Sequence, residues 1–374
     1  MTKQSKENGR VDIDFTLGLN NRTGKYFFSR DMIEASRDLT AKIWYWRFSH
    51  SKIPQGFYRR VLGRLARWDV TLRSNFKLSF APKFRPKRPM VFTDPREVIY
   101  TKLEPFDVVL VHDVGPLSHP ELYDAATELT YRTVFEKIQT VKPLLLFVSE
   151  SSRLAYSELY GSDYPCMRVT YINPRKELAF TATPLDFNVP KRFFLTVGAI
   201  GRRKNQSEAI KAYAMSGLQR EGIGYVICGG PEPGAETVME LAKTTPGVII
   251  TGYLPDTQLG WLYGNSLGFV LPSLLEGFGV PAMEAILYGT MPLVTRGGAL
   301  NEVTGDSAVL VGTDAESIKL GLIALVTMSD DERSHRMNAM RGHISKFAWQ
   351  GSVAVWRKTL EESIALHKLS LQNE

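Results

Sequence analysis

Features that stabilise many small or secreted folds are missing from this 374-residue sequence. It has only two cysteines, Cys166 and Cys228, which lie far apart, with no CxxC motif and no Cys/His cluster. This disfavours a structural zinc site or a disulfide framework and fits a reducing cytoplasm. The first 14 residues lack the apolar run of a signal peptide, and no segment approaches the roughly 18 apolar residues of a membrane span.

Several enzyme signatures are also missing. The sequence has no HExxH motif, which disfavours metal-dependent hydrolysis of that type, and no Walker loop GxxxxGK[ST]. Asp12-Ile13-Asp14 is similar to the DxD that binds a metal–nucleotide in some transferases. Because it lies in what we interpret as a polar N-terminal tail, we treat this DxD as a chance match.

Positive charge is concentrated in one part of the chain. The chain carries +7, but residues 55–90 carry +9, from ten Lys and Arg against Asp69, so the rest is near −2. Such a patch predicts a local anionic partner. The hydrophobic fraction of 44% and mean hydropathy of −0.14 are typical of a globular protein, and the length allows two domains.

Apolar residues recur near helical spacing within this basic segment, at Phe57, Tyr58, Val61, Leu62, Leu65 and Trp68. A basic amphipathic helix with aromatic residues is typical of proteins that lie on an anionic lipid surface. We therefore expect a cytoplasmic protein that binds the inner face of the membrane through Phe57–Arg88, or else a solvated helix whose apolar stripe packs into the core. No nucleic-acid-binding motif accompanies the charge, so we expect no nucleic-acid partner.

Short apolar runs alternate with helical patterns from residue 193 onward. The predicted strands are Phe193–Val197, Tyr225–Cys228, Val248–Thr251, Leu267–Leu271, Pro292–Thr295 and Ala308–Val311. The predicted helices are Gln206–Gly217, Gly234–Lys243, Thr257–Tyr263 and Val280–Tyr288. This alternation predicts an α/β fold with a parallel sheet covered on both faces, and ligands bind such sheets at the carboxyl ends of the strands.

The first half of the chain is less regular but similar in kind. Val108–Val111 and Leu144–Val148 are predicted strands, and prolines mark a linker near residues 172–192. Ser329–Leu369 is predicted to be helical, with Ser329 and Glu332 as a capping box. The chain is thus predicted to form two α/β domains with a ligand-binding cleft between them.

Two carboxylates eight positions apart, Glu276 and Glu284, flank a turn with two glycines and a proline. The first follows a predicted strand, and the second is placed in the first turn of the next helix, with Pro281 at its first position. A helix N-terminus attracts anions, and neighbouring carboxylates bind sugar hydroxyls. We therefore predict a site for a ligand that carries both phosphate and sugar.

A second strand-to-helix turn contributes three cations, in Gly198–Asn205. Arg202, Arg203 and Lys204 suit a diphosphate, because arginine offers a two-pronged donor and lysine a point charge. The alternative is a basic turn exposed to water. His112 ends a predicted strand, where a hydrogen-bonded core histidine is the alternative to a catalytic role.

Together these segments resemble the retaining glycosyltransferases of family 4, which have the GT-B fold of two Rossmann-like domains around a deep cleft. The segments that carry the resemblance are Arg22–Tyr26, His112–Asp113, His119–Glu121, Ser149–Arg153, Thr251–Asp256, Pro272–Pro281, Asn301–Asp306 and Phe347–Gln350. The resemblance implies an N-terminal acceptor domain over 1–185 and a nucleotide-sugar domain over 186–350. A C-terminal helix of about 351–374 would pack back on the first domain.

The resemblance also implies roles for individual residues. The donor-binding residues would be Arg203, Lys204, Gly252, Tyr253, Glu276, Gly277, Phe278, Gly279 and Glu284. Arg203 and Lys204 would neutralise the departing diphosphate, and the Gly277–Gly279 amides would contact the sugar or β-phosphate. Glu276 would hold the transferred sugar and Glu284 the ribose, with the base near Gly252 and Tyr253. Which arginine, Arg202 or Arg203, takes the phosphate role stays open.

The catalytic residues would be Glu276, His112 and Lys204, with His112 reaching the donor sugar from the first domain. Thr23, Gly24, Lys25 and Tyr26 would form a loop near the diphosphate or acceptor. No metal or other cofactor is expected, since the nucleotide-sugar is a substrate.

His112–Asp113 and His119–Glu121 resemble a segment of the mannosyltransferases in this family, and that resemblance favours GDP-mannose as donor. A membrane-binding basic segment would suggest a lipid-linked acceptor, so the expected acceptor is a glycan or lipid-linked molecule of bacterial polysaccharide or lipopolysaccharide synthesis. The alternatives are a UDP-sugar donor, an epimerase or inverting transferase of the same fold, and a non-catalytic nucleotide-sugar-binding scaffold.

Overall fold

The computed structural model describes residues 9–21, 23–78, 82–173, 182–232 and 234–373. Arg22 and residues 174–181 of the predicted linker lie outside this part of the chain. The described residues group into two compact units. The first runs up to Asn173 and includes the last helix from Trp349, and the second lies between Pro174 and Ala348.

The first unit is built on a seven-stranded sheet with the order β3-β2-β1-β4-β5-β6-β7. Its strands are β1 Val11–Asp14, β2 Thr40–Tyr45, β3 Phe48–Ser49, β4 Met90–Phe92, β5 Val108–Val111, β6 Leu144–Phe147 and β7 Met167–Val169. All neighbours pair in parallel except β2 and β3, which form a short antiparallel edge. The predictions of β5 and β6 are confirmed, and both strands are fully buried.

Helices cover this sheet. They are α1 Leu17–Asn20, α2 Gly24–Ala35, α3 Gly56–Asn75, α4 Gly115–Ser118, α5 Ala125–Val141, α6 Glu150–Tyr160 and, from the end of the chain, α14 Trp349–Gln372. The fully buried Trp356 of α14 donates its indole N–H to Ser36 Oγ at 3.1 Å. Glu362 accepts two hydrogen bonds from Arg168 of β7, at 2.6 and 2.8 Å. The last helix therefore packs on the first unit through both apolar and charged contacts.

The placement of Asp12-Ile13-Asp14 in a polar tail is wrong, because these residues form β1 in the interior of the sheet. Both carboxylates are buried and have protein partners. Asp12 Oδ2 accepts from Trp44 Nε1 at 3.0 Å, and Asp14 Oδ2 accepts from Tyr100 Oη at 2.8 Å. Burial raises the pKa of Asp14 to about 7. These donors allow two acidic residues to occupy a buried strand.

The basic helix α3 has a core side and a solvent side. Leu62, Ala66 and Asp69 are buried. Asp69, the one acid of the basic segment, accepts hydrogen bonds from Arg73 Nε at 2.8 Å and Trp46 Nε1 at 3.0 Å. The opposite side exposes Phe57 and Trp68. Only part of the predicted apolar stripe therefore packs into the core.

The second unit has a six-stranded parallel sheet with the order β10-β9-β8-β11-β12-β13. Its strands are β8 Arg192–Val197, β9 Ile223–Cys228, β10 Val248–Gly252, β11 Gly268–Leu271, β12 Pro292–Thr295 and β13 Val309–Val311. All six predicted strands are confirmed to within two residues at each end. This is the strand order of a doubly wound dinucleotide-binding sheet. The chain builds the sheet outward in one direction from β8 to β10 and in the other direction from β11 to β13, so the strand order reverses between β8 and β11.

Helices flank both faces of this second sheet. They are α7 Gln206–Ser216, α8 Ala235–Thr244, α9 Asp256–Asn265, α10 Val280–Leu287, α11 Gly298–Thr304, α12 Ala315–Thr327 and α13 Asp330–Ile344. The Ser329 hydroxyl accepts from the Glu332 amide at 3.2 Å and caps α13. The helical prediction for Ser329–Leu369 is confirmed for α13 and α14, although a short 3-10 turn at Ser345–Phe347, followed by Ala348, separates the two helices. There the buried Phe347 packs edge-on against Phe278.

Candidate functional site

The two turns predicted to bind the ligand lie side by side in the second unit. One follows β8 and the other follows β11, and these strands are neighbours in the sheet. In doubly wound sheets, ligands bind outside the carboxyl ends of the strands at the point where the strand order reverses. The amide of Leu274 donates to the Arg203 carbonyl at 2.9 Å, which ties the two turns together.

The turn after β8 is held in a fixed shape by its own side chains. Gln206, which is buried, accepts from the Gly201 amide at 3.1 Å and donates to the Ala199 carbonyl at 2.8 Å. Asn205 has a φ of 57° and donates to the Thr313 carbonyl at 2.8 Å. Gly198 has a φ of +145°, and a Cβ there would lie 3.3 Å from Lys204 Cε. The turn therefore directs Lys204 inward along the backbone of Gly198.

Glu276 receives three hydrogen-bond donors. Lys204 Nζ donates to Oε1, Arg203 Nη1 donates to Oε2 at 3.3 Å, and Ser273 Oγ donates to Oε1 at 2.7 Å. The side chains of Lys204 and Glu276 are only 7% and 8% exposed, so this is a buried ion pair. Of the two candidate arginines, Arg203 makes the contact, and Arg202 is exposed.

The environment shifts the pKa of both partners. Burial alone would raise the pKa of Glu276, but the charges of Lys204 and Arg203 reverse this effect and lower the pKa below its ordinary value. Burial lowers the pKa of Lys204, while the Glu276 carboxylate opposes that shift. Glu276 is therefore a carboxylate at neutral pH, fixed between two basic side chains.

The glycine turn leads directly into α10. Gly279 precedes the helix with a φ of 102°, and a Cβ there would lie 2.8 Å from Leu300 Cδ2, so a side chain would be both strained and crowded. The side chain of Phe278 is buried against Phe347, at a ring-centroid distance of 5.3 Å. Only the backbone of Phe278 is thus suited to the predicted role in the turn.

Glu284 lies deeper in the helix than predicted. The helix α10 begins at Val280, so Glu284 is its fifth residue and the prediction that Glu284 lies in the first turn is wrong. Pro281 is the second residue of the helix, one position later than predicted. The Glu284 carboxylate is buried and accepts a hydrogen bond from Tyr263 Oη at 3.1 Å.

Gly252 ends β10 and Tyr253 follows it, at the same edge of the sheet. Gly252 has a φ of 71°, and its carbonyl accepts from the Gly229 amide at 3.0 Å. The Tyr253 ring is 80% exposed and lies over Gly230, where a Cβ would approach it to 2.3 Å. An exposed aromatic ring beside glycine backbone offers a flat surface on which a base can stack.

The other predicted residues lie in the first unit. Thr23 precedes α2, which begins at Gly24, and Lys25 Nζ lies 3.4 Å from Asp113 Oδ2. Tyr26 is a core residue that stacks on Phe15 at 5.6 Å, so its ring does not line a loop. The contact between Lys25 and Asp113 is not predicted from the sequence.

His112 is buried at the end of β5. Its Nε2–H donates to the Thr93 carbonyl at 2.8 Å, while Nδ1 has no hydrogen-bond partner within the described ranges. Burial, assisted by the charge of Lys25, lowers the pKa of His112 to about 4. The imidazole is therefore neutral near pH 7, with an acceptor nitrogen to spare.

Two contributors to the site were missed from the sequence, Ser273 and Gln206. Ser273 stands in the Pro272–Pro281 segment, three residues before Glu276, and that spacing was the available signal. Gln206 offers no local signal, since its partners are backbone groups of the preceding turn. Among the side chains that the structure describes, no three His, Cys, Asp or Glu residues are grouped so as to hold a metal ion.

Comparisons with known sequences find glycosyltransferases. Residues 181–341 match the family model described as "Glycosyl transferases group 1". O-antigen chain mannosyltransferase B from Escherichia coli is 26% identical over 262 residues, which cover 65% of this chain and 67% of that protein. Serotype-specific mannosyltransferase WbdA from Escherichia coli is 31% identical over 170 residues, but these are 44% of this chain and only 21% of WbdA.

Solved structures resemble nearly the whole chain. Sucrose-phosphate synthase from Thermosynechococcus elongatus has a TM-score of 0.68 at 15% identity, over 96% of this chain and 99% of its own. Trehalose-6-phosphate synthase OtsA has a TM-score of 0.62 at 15% identity, over 95% and 99%. At such identities the likeness shows a shared fold. Within the described residues, no helix is both long and apolar enough to cross a bilayer.

Proposed function

We propose that this chain, a glycosyltransferase of the GT-B fold with a group 1 domain over residues 181–341, transfers mannose from GDP-mannose with retention of configuration. The acceptor in this proposal is a glycan or lipid-linked glycan of bacterial polysaccharide or lipopolysaccharide synthesis. The observation that carries the proposal is the meeting of Lys204, Arg203 and Glu276 where the strand order reverses. Relatives named as O-antigen mannosyltransferases support the sugar and the acceptor class.

The donor fits this site by charge. Cleavage of the sugar–phosphate bond leaves negative charge on a nucleoside diphosphate and positive charge on the sugar. Lys204 and Arg203 are fixed cations in a poorly solvated setting, where they stabilise the leaving group more than water would. Glu276 then contacts the transferred sugar, Glu284 the ribose, and the region of Gly252 and Tyr253 the base.

Retention of configuration has two possible chemical routes. A double displacement would need Glu276 as nucleophile at the anomeric carbon. Its three hydrogen-bond donors and lowered pKa reduce its nucleophilicity. These contacts favour attack from the same face as the departing phosphate, with Glu276 as an electrostatic partner of the sugar. Trapping of a glycosyl-enzyme on Glu276 would decide for double displacement.

Transfer of radiolabel tests the proposed donor and acceptor. The purified chain, incubated with labelled GDP-mannose and a bacterial lipid extract or O-antigen fragments, should release GDP and place label in the lipid or glycan fraction. Labelled UDP-glucose, used in the same assay, serves as the control donor. A UDP-sugar is the alternative donor, since a solved neighbour is described as bound with UDP-2-fluoro glucose. Label transferred from UDP-glucose and not from GDP-mannose would overturn the donor assignment.

We further propose that the solvent side of α3 binds an anionic membrane surface. Phe57, Arg60, Arg64 and Trp68 are exposed and spaced by three or four residues, so they share one face. Phe57 and Trp68 are 76% and 61% exposed. Exposed aromatic rings beside unbalanced arginines suit the boundary between lipid headgroups and acyl chains.

Cosedimentation with vesicles tests this surface. Phosphatidylglycerol-containing vesicles should sediment the wild-type chain at low salt, and phosphatidylcholine vesicles should not. The double variant R60Q/R64Q should bind about 30-fold more weakly, since each arginine near an anionic surface contributes about 1 kcal/mol. K211Q/K243Q, the same charge change on exposed helix positions of the second unit, is the matched control. Equal sedimentation with both vesicle types would remove the proposal.

A further inference from the structure

The two cations assigned to the diphosphate already share an anionic partner. Lys204 and Arg203 donate to opposite oxygens of Glu276. The Lys204 amine contacts the carboxylate directly, and the side chains of Lys204 and Glu276 are almost fully buried. A diphosphate that binds these cations must therefore compete with Glu276 for the same N–H groups. The carboxylate carries one negative charge, and a nucleoside diphosphate carries more.

Ser273 provides the contact that does not depend on the cations. Its buried hydroxyl donates to Glu276 Oε1 at 2.7 Å, and its carbonyl accepts from Thr295 Oγ1 at 2.9 Å. Thr295 ends β12, the strand next to β11. Ser273 is thus held by the sheet through Thr295, a contact that involves neither Lys204 nor Arg203.

We infer that Glu276 is a built-in competitor for the diphosphate, and that donor binding transfers Lys204 and Arg203 from Glu276 to the phosphates. Glu276 is then held by Ser273 alone, with its second oxygen available to the sugar hydroxyls. This inference rests on the proposed function, and it couples recognition of the diphosphate to release of the group that contacts the sugar. Ser273 is a positioning residue, since it acts through Glu276.

Removal of the carboxylate charge should strengthen binding of the diphosphate alone. E276Q should bind inorganic pyrophosphate and GDP about tenfold more tightly than wild type by calorimetry, because the phosphates no longer compete with the Glu276 charge for Lys204 and Arg203. E232Q is the matched control. Glu232 is an exposed carboxylate whose charge acts on Lys204 without a hydrogen bond to it, so its removal should change affinity far less.

The outcomes separate the inference from the proposed function. Wild type that binds pyrophosphate, with E276Q no tighter than E232Q, overturns the competition and leaves the donor site intact. Wild type that binds neither pyrophosphate nor any nucleoside diphosphate overturns the proposed function. If E276Q does not fold, E276D tests the same competition, because its carboxylate is on a shorter side chain and reaches the two cations less well. It should bind pyrophosphate more tightly than wild type.

Ser273 is tested by separating binding from turnover. S273A should bind pyrophosphate within about twofold of wild type, lower kcat with the sugar donor about tenfold, and recover in S273T, which keeps the hydroxyl. A merely structural role would weaken both measurements together. Pyrophosphate affinity that falls in parallel with kcat in S273A would overturn the positioning role.

Discussion

Lys204→Ala is expected to lower turnover about 10²–10³-fold, which is the usual loss when one fixed donor to a developing negative charge is removed. Lys204 is nearly fully buried, and Gly198 lies directly against its side chain. Water that enters in place of the amine would have to reorient as charge develops on the leaving phosphate, whereas the ammonium is already in position. The loss should therefore appear mainly in kcat.

The matched control is Lys243→Ala, a lysine of the same unit whose side chain is 72% exposed. It should keep wild-type turnover. Removal of one partner of a buried ion pair also destabilises a fold, so circular dichroism and the unfolding temperature of Lys204→Ala must be recorded beside the rate. Lys204→Met, which keeps the length of the side chain without its charge, should show the same loss. Wild-type turnover in a folded Lys204→Met variant would remove Lys204 from the mechanism.

The second unit was predictable from the sequence because its strands depend on local pattern. Strands such as β9 and β11 are uniformly apolar, are bounded by Gly or Pro, and are buried on both faces. Ligands bind these sheets where the strand order reverses, and this rule predicts that Arg203, Lys204 and Glu276 lie at one edge of the sheet. That pairing joins residues 72 positions apart, and no local pattern specifies it.

The first unit was less predictable because its strands depend on distant partners. Asp12 and Asp14 make β1 look polar in the sequence, and their burial depends in part on Trp44 and Tyr100, which lie far along the chain. The orientation of α3 is similar. Asp69 looks like a lone acid in a basic run, but its contacts with Trp46 and Arg73 determine which side of the helix is buried and leave Phe57 and Trp68 exposed.

His112 illustrates a different limit. The sequence places a histidine at the end of a strand, with a core role and a catalytic role both open. The structure gives Nε2 a structural partner in Thr93 and leaves Nδ1 as a buried acceptor. Because burial lowers its pKa to about 4, the ring can accept a hydrogen bond from a hydroxyl at neutral pH but is a poor proton donor.

The proposed function requires a nucleotide-sugar site in the second unit, and ligand-dependent stability measures that site directly. GDP and GDP-mannose, each at 100 times its Kd, should raise the free energy of unfolding by about 2.7 kcal/mol, with UDP and ADP at the same concentrations giving much less. Amide hydrogen exchange in strands Arg192–Val197 and Gly268–Leu271 measures the stability of the second unit, and exchange in strand Val108–Val111 measures that of the first. Slower exchange in the first two strands with GDP is the predicted result. No change in those strands with any of the three nucleotides would contradict the account.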